Sequence, residues 1–147
     1  MKNWFESDDI IHVSLEKVIL SFKDLGKHYS KLVSLMPGLT SVELIDEGKD
    51  FITIKTNEGL MKRVNIVVSS NEESFNIEFD EDYQAGKMIN VQSHYVHCFK
   101  SVEEGVLHSV RINQMKASGF MGFFYKTFGK ASIGKAVLKS YRKFFSE

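Results

Sequence analysis

The chain has 147 residues, of which 43% are hydrophobic and 26% are charged, a composition that excludes a disordered or low-complexity protein. Basic and acidic residues number 19 each, so no net positive charge is available to attract nucleic acid. The one cysteine, Cys98, excludes an internal disulfide and fits a reducing compartment.

The segment MKNWFESDDI lacks the apolar core of a secretory signal, and no segment approaches the ~20 apolar residues of a membrane span. These features predict a cytoplasmic protein. The length suits one hydrophobic core, and no repeat or linker-like stretch marks a boundary. Residues 1–147 are therefore expected to form a single domain, either as a monomer or as a homodimer.

The first predicted element is a strand over Ile10–Phe22, a stretch rich in β-branched and apolar residues of which part is also compatible with a helix. One short helix is expected next, because four apolar residues recur at the spacing of one helix face: Tyr29, Leu32, Val33 and Met36. This helix should end at Pro37, the only proline of the chain.

Beyond Pro37 the apolar period changes to alternation. Six further strands are predicted: Thr40–Asp46, Phe51–Thr56, Leu60–Ser69, Ser74–Asp80, Lys87–Phe99 and Gly105–Lys116. Short turns separate them, which indicates an antiparallel meander. A register that keeps the apolar residues on one face predicts three cross-strand pairs: Val68 with Phe75, Phe79 with Ile89, and Phe99 with Val106.

The last quarter of the chain predicts a glycine-punctuated aromatic helix. Its apolar stripe comprises Ile133, Val137, Leu138, Tyr141, Phe144 and Phe145, with Lys135, Lys139, Arg142 and Lys143 opposite. The stripe loses phase over Gly129–Gly134, so we expect a kink there and a separate aromatic segment over Phe120–Phe128. An antiparallel sheet with one apolar face must cover that face, and this helix is the long amphipathic element available for it.

Three segments carry a family resemblance: the aliphatic stretch HVSLEKVIL that begins at His12, the passage from Met36-Pro37-Gly38 into Val42–Ile45, and the closing segment from Gly119-Phe-Met-Gly to Tyr141–Glu147. Together with the element order, they resemble the START-like (SRPBCC, helix-grip) superfamily, which includes polyketide cyclase-like proteins. The resemblance implies an α+β fold in which a curved seven-stranded antiparallel sheet wraps around the long C-terminal helix. It also implies an apolar cavity between sheet and helix, and it transfers no catalytic residue. The family usually has a pair of short helices after the first strand, whereas only one is predicted here.

The cavity is expected to bind a hydrophobic small molecule or lipid, for transport or sequestration, without a cofactor. Apolar burial would come from Val64, Ile66, Ile77, Val91, Val110, Ile112, Phe124 and Phe128. Ser93, Tyr95 and His97 share the inward side of one strand, and His108 is predicted to lie opposite His97. Directly paired Cβ atoms lie about 4.5–5.5 Å apart, so Tyr95 and the two imidazoles are expected to orient the ligand.

Two other functions stay open. A cyclase or dehydrase would need an acid–base pair in the cavity, for which His97 and His108 are the candidate catalytic residues. The simpler interpretation is that each histidine is satisfied and half-buried, or faces solvent at the end of the sheet. A protein-interaction module would instead have a filled core and an exposed apolar patch. The cationic C-terminal segment also allows transient membrane contact through Phe120, Met121, Phe123 and Phe124, although packing in the core is the favoured role.

The remaining polar clusters predict neither a metal site nor a phosphate-binding loop. His94 and His97 of the motif His94-x-x-His97-Cys98 point to opposite faces of a strand, and the motif spans roughly 13 Å. Lys62 is predicted to face inward opposite Glu81, either as a rim ion pair or as a partner for an acidic ligand group. The glycines around Phe120 lack the Gly-Lys-Ser/Thr ending of a phosphate-binding loop.

Overall fold

The computed structural model describes residues 4–86, 89–118 and 130–146. These residues form the strands β1 (Phe5–Ile11), β2 (Val42–Glu47), β3 (Ile52–Thr56), β4 (Gly59–Ser70), β5 (Ser74–Ala85), β6 (Ile89–Val102) and β7 (Gly105–Ser118). They also form the helices α1 (Leu15–Ser21), α2 (Leu25–Ser34) and α3 (Lys130–Ser146). The seven strands make one sheet in the order β1-β7-β6-β5-β4-β3-β2, and all neighbours are antiparallel. The predicted α+β fold with a seven-stranded antiparallel sheet is confirmed.

The segment after β1 corrects the sequence prediction, since the strand expected over Ile10–Phe22 ends at Ile11 and gives way to α1. The Ser14 hydroxyl caps this helix by accepting a hydrogen bond from the Lys17 amide at 3.2 Å. Val18 is fully buried, one helical turn before the buried Phe22. Together with α2, this makes two short helices between β1 and β2 rather than one.

A bulge in β4 decides which of its side chains face the core. The backbone of Asn65 is left-handed, with a φ of 55°, and the pairing with β5 shifts between Val64 and Val67. Two residues of β4 therefore oppose one residue of β5. As a result, Arg63 before the bulge and Ile66 after it are both buried, although they lie three positions apart, a spacing that puts side chains on opposite faces of a regular strand.

The bulge overturns two sequence predictions. Val64 is 38% exposed on the outer face of the sheet, so it does not line the interior as predicted. Lys62 is exposed and pairs with Asp82, while Arg63 takes the place opposite Glu81 that was expected for Lys62. Strict alternation, counted back from Ile66, places both residues on the wrong face.

The register of the longer hairpins also differs from the prediction, but always by an even number of residues. The observed pairs are Phe75 with Ser70, Phe79 with Tyr95, and Phe99 with His108. Strand β5 continues to Ala85, so the turn before β6 comes later than predicted. Because the displacements are even, both residues of each predicted pair still lie on the same face of the sheet.

Helix α3 confirms the predicted amphipathic stripe. Of its apolar residues, Val137, Leu138, Tyr141, Phe144 and Phe145 are buried and Ile133 is half-buried, whereas Lys135, Lys139, Arg142 and Lys143 are exposed. The helix is continuous from Lys130, and the aromatic segment Phe120–Phe128 lies outside the described residues. None of the described helices is both long and apolar enough to cross a bilayer.

Helix α3 approaches β1 closely at Gly134. A Cβ atom at this position would lie 2.1 Å from the ring of Phe5. No side chain fits there without displacement of the ring, so the glycine allows the first turns of α3 to pack against the edge of the sheet.

Candidate functional site

A cavity of about 410 Å³ opens between one end of the sheet, the loop after α2 and the first half of α3. Among the described residues, the loop contributes Met36, Pro37 and Leu39, the helix contributes Ile133 and Ala136, and the strands and their turns contribute Glu58, Met61, Arg63, Glu81, Tyr83, Ala85, Ile89 and Tyr95. Most of these side chains are apolar or aromatic. The volume lies within the range of about 300–1,000 Å³ that is usual for small-molecule sites.

One wall of the cavity carries a buried ion pair. Arg63 and Glu81 lie directly opposite each other on β4 and β5, and Arg63 Nε donates a hydrogen bond to Glu81 Oε1 at 3.0 Å. The two residues are only 3% and 7% exposed. Burial by itself would lower the pKa of Arg63, but the charge of Glu81 and the nearby tyrosine oxygens raise it overall, so the guanidinium stays charged.

Aromatic rings enclose the Arg63 guanidinium. Its central carbon lies 4.5 Å from the ring centre of Phe79, 4.8 Å from that of Tyr29 and 5.7 Å from that of Tyr95. These distances suit cation–π attraction, which strengthens when the cation is removed from water. The rings thus hold the guanidinium in one position at the cavity wall.

Tyr29 from α2 adds a polar atom beneath this wall. Its hydroxyl is fully buried and makes no hydrogen bond of normal geometry with the described residues. Burial raises the pKa of Tyr29 to about 12, and the nearby Arg63 acts in the opposite direction. The phenol is therefore neutral at pH 7 and retains its proton for donation.

A second side-chain hydrogen bond lies on the cavity wall. Tyr83 of β5 donates its hydroxyl proton to Glu58 Oε1 at 3.1 Å. Burial raises the pKa of Tyr83 above its ordinary value, and the negative charge of Glu58 adds to this effect. The bond connects β5 to the turn between β3 and β4.

The two histidines singled out by the sequence do meet, but in the packed core. His97 Nδ1 and His108 Nε2 lie 2.9 Å apart. In the register, His97 pairs with Val110 and His108 pairs with Phe99, so the imidazoles meet diagonally rather than directly. The ring of Tyr141 packs edge-on against both imidazoles, and neither residue contributes to the described walls of the cavity.

Both imidazoles of this pair are neutral at pH 7. Burial lowers the pKa of His108 to about 3, and burial together with the nearby His108 places the pKa of His97 well below its ordinary value. In a neutral pair one nitrogen donates and the other accepts the shared hydrogen. General acid–base catalysis needs a pKa near the working pH and a substrate within reach, and this enclosed pair has neither among the described residues.

A third buried histidine, His28 of α2, links the helices. Its Nδ1 lies 3.1 Å from the carbonyl oxygen of Ser21 and its Nε2 lies 2.9 Å from the Tyr141 hydroxyl. Since a carbonyl oxygen only accepts, Nδ1 carries the hydrogen and Nε2 accepts from Tyr141. Burial lowers the pKa of His28 to about 3.

The other predicted site residues fall into separate groups. Tyr95 lines the cavity. Buried positions away from the described cavity walls are occupied by Ile66, Ile77, Val91, Ser93, Val110 and Ile112. Phe124 and Phe128, as well as the predicted membrane-contact residues Phe120, Met121 and Phe123, lie outside the described residues. Three residues of the cavity wall were not predicted from the sequence: Arg63, Met61 and Tyr83. Their inward orientation depends on the bulge in β4 or on the full length of β5.

His94 lies on the outer face of the sheet, away from His97. Its Nδ1 is 2.7 Å from Asp80 Oδ1 and its Nε2 is 2.9 Å from Glu78 Oε2. Burial opposes the charged form, but hydrogen bonds to Asp80 and Glu78 raise the pKa of His94 overall. The described residues contain no group of side chains arranged to hold a metal ion.

Comparison with known proteins yields a fold and no function. No protein-family model and no curated protein matches the chain. Among solved structures, a conserved protein from Geobacillus kaustophilus is similar, with 14% sequence identity and a TM-score of 0.60 over 96% of this chain and 92% of that chain. A protein from Deinococcus radiodurans aligns with 15% identity and a TM-score of 0.44 over 97% of this chain and 94% of that chain. The first likeness shows that the α+β architecture of nearly the whole chain occurs in another protein.

Proposed function

We propose that this protein binds a hydrophobic small molecule or lipid in the cavity, as a START-like domain whose sheet wraps around α3. The observation that carries the proposal is a cavity of about 410 Å³ whose mostly apolar walls include one buried ion pair. The cavity is partly open to solvent, so a molecule can reach it from outside, and its walls are mostly apolar. A space of this size beside α3 is the feature that a binding protein needs and that an interaction module with a filled core lacks.

The order of elements supports the family assignment. The described residues form, in chain order, one strand, two short helices, six strands and a C-terminal helix. The presence of α1 and α2 supplies the pair of short helices that the family pattern includes. The buried stripe of α3 gives the sheet a helical cover on one side of the cavity.

The ion pair of Arg63 and Glu81 is assigned the role of orienting the ligand. A buried ion pair is often no more stabilising than apolar residues of the same volume, so its presence on a cavity wall calls for another explanation. The apolar walls would hold the body of the ligand, and its polar end would face the pair and Tyr95. Because the pair is neutral as a unit, it suits a hydroxyl or carbonyl group, which adds no uncompensated charge to the interior.

The proposal assigns no catalytic role to His97 and His108. Both are enclosed by aromatic rings, and burial keeps the pKa of each far below neutrality. Their hydrogen bond gives a partner to one nitrogen of each ring, which burial has removed from water.

The test is native mass spectrometry, with extraction of bound compounds, on protein purified from its own host. The Ala136→Phe variant places a ring in the cavity, and Lys139→Phe on the exposed side of the same helix is the matched control. We expect a co-purified hydrophobic compound with the unaltered chain and with Lys139→Phe, and its loss from Ala136→Phe. Empty protein in all three preparations, or equal occupancy in all three, would overturn the proposal.

A further inference from the structure

The loop after α2 forms one wall of the cavity, and we call residues 36–41 the wall loop. Met36, Pro37 and Leu39 turn toward the cavity. Within the loop, the Leu39 amide donates to the Met36 carbonyl at 3.4 Å, a long hydrogen bond. Gly38 has a φ of 82°, a conformation that glycine adopts without strain, and a Cβ atom there would meet no other atom within 4 Å. The hydrogen bonding within the wall loop is therefore weak, and besides it Met36 and Leu39 pack against the hydrophobic core.

One side chain from another part of the chain holds the wall loop in place. Asn57, in the turn between β3 and β4, accepts hydrogen bonds through Oδ1 from the amides of Thr40 at 2.8 Å and Ser41 at 3.4 Å. Its Nδ2 donates to the carbonyl oxygen of Gly38 at 3.1 Å. All three bonds lie at exposed positions, where water replaces them at small cost when the loop moves.

The turn that carries Asn57 is itself well fixed. The Thr56 hydroxyl oxygen accepts hydrogen bonds from the amides of Glu58 at 3.1 Å and Gly59 at 3.2 Å. Glu58 also accepts the hydroxyl proton of Tyr83, another residue of the cavity wall. The same turn thus fixes the wall loop through Asn57 and a β5 side chain through Glu58.

We infer that Asn57 is a positioning residue that latches the wall loop over the cavity and sets the rate at which a ligand enters and leaves. This inference rests on the proposed function. Breaking the Asn57 contacts frees residues 38–41, while α2 on one side and β2 on the other remain in place. The loop then moves by rotation at Gly38, and Leu39 withdraws from the opening.

Access to the cavity can be measured without a ligand. A Met61→Cys substitution places a thiol on the cavity wall, where Met61 is 5% exposed, and Cys98→Ser removes the only other thiol. The rate of modification by 5,5′-dithiobis(2-nitrobenzoate) then reports opening. Loss of two good hydrogen bonds predicts that Asn57→Ala accelerates modification between about 10- and 30-fold. Asn57→Asp, which keeps the acceptor and loses the donor, should give an intermediate rate.

Asn71 provides a matched control. It lies in the turn between β4 and β5, where its Oδ1 accepts hydrogen bonds from the amides of Glu73 at 2.8 Å and Ser74 at 2.9 Å. It is an exposed asparagine with the same type of contacts, and it does not line the described cavity. Asn71→Ala should therefore leave the modification rate of the cavity thiol unchanged. Equal acceleration by Asn57→Ala and Asn71→Ala would indicate general loosening and overturn the inference.

Ligand exchange gives the second readout, with Nile red as a neutral hydrophobic probe in stopped-flow fluorescence. A latch predicts that Asn57→Ala raises the association and dissociation rates by similar factors and leaves the Kd nearly unchanged, whereas damage to the site would raise the Kd. Unchanged thiol modification and unchanged exchange would overturn the latch. Faster modification in a protein that binds no probe would support the latch and count against the proposed binding function.

Discussion

The buried ion pair on the cavity wall leads to a quantitative prediction about the unfolding free energy of a variant that lacks one partner. Arg63→Met removes the guanidinium and leaves the Glu81 carboxylate, 7% exposed, without the hydrogen bond that Arg63 Nε provides at 3.0 Å. Loss of one partner of a buried pair costs about 3–5 kcal/mol of unfolding free energy. Loss of the cation–π contacts with Phe79 and Tyr29 adds to this cost. The Tm should fall by about 10 °C, since 1 kcal/mol corresponds to about 2–4 °C in a chain of this size.

The double variant Arg63→Met/Glu81→Leu tests whether the stability lost in Arg63→Met comes from the Glu81 charge that is left buried without a partner. With both charges replaced by apolar groups of similar length, we expect most of the lost stability to return, because no uncompensated charge remains in the interior. Urea unfolding followed by far-UV circular dichroism measures both values. The unfolding free energy of Arg63→Met could instead lie within about 0.5 kcal/mol of that of the unaltered chain, or the double variant could be as unstable as the single one. Either result would show that the two buried charges do not depend on each other.

Two further predictions concern the buried histidines and the contact between α3 and β1. His28 and His108 have pKa values of about 3 in the folded state and 6.5 when unfolded, so the unfolded chain binds more protons between these values. The unfolding free energy should therefore keep its full value above pH 6.5 and fall as the pH drops toward 3. The His108→Phe variant should lose about 3 kcal/mol less of it between pH 6.5 and 4 than the unaltered chain. Parallel stability curves for the two proteins would refute this. Gly134→Ala, whose Cβ would lie 2.1 Å from the Phe5 ring, should lower the unfolding free energy by about 1–3 kcal/mol. The additional change Phe5→Leu should recover part of this loss. An unchanged Tm for Gly134→Ala would contradict the close approach of α3 to β1.

The alternation of apolar residues predicted the strands well because it reflects which side chains are buried. The six strands after Pro37 all exist, and the stripe of α3 is buried as expected. Even the incorrect pairs, such as Phe79 with Ile89, preserved the inward face, since side chains in a strand repeat every second residue. Registers and strand ends were less predictable, because they depend on where turns form in the folded sheet.

The errors have local physical causes. Helix α1 is short, and short helices gain most of their stability from tertiary contacts rather than from intrinsic propensity, so its sequence resembled a strand. The bulge in β4 had one available signal, since asparagine tolerates the left-handed conformation that Asn65 adopts. Its side chain also donates to Asp80 Oδ2 at 2.9 Å, a contact between strands that only the fold reveals.

The histidine pair shows that the sequence can predict which residues meet without predicting whether they are accessible. The sequence predicted that His97 and His108 would meet on the inner face, and they do. The sequence did not show that aromatic side chains from distant segments, among them Tyr141 of α3, would enclose both imidazoles. The cavity lies elsewhere on the same face, so burial and accessibility had to come from the three-dimensional packing.

The left-handed backbone of Asn65 in β4 determines which side chains line the cavity. A β-branched residue at position 65 would disfavour this conformation and favour an uninterrupted ladder. In that ladder, Val64 and Lys62 would turn toward the cavity and Arg63 would turn toward solvent. One replacement outside the cavity would thereby exchange its chemical lining, so under the proposed function the ligand preference of related chains should follow the residue at this position as much as the residues that line the cavity.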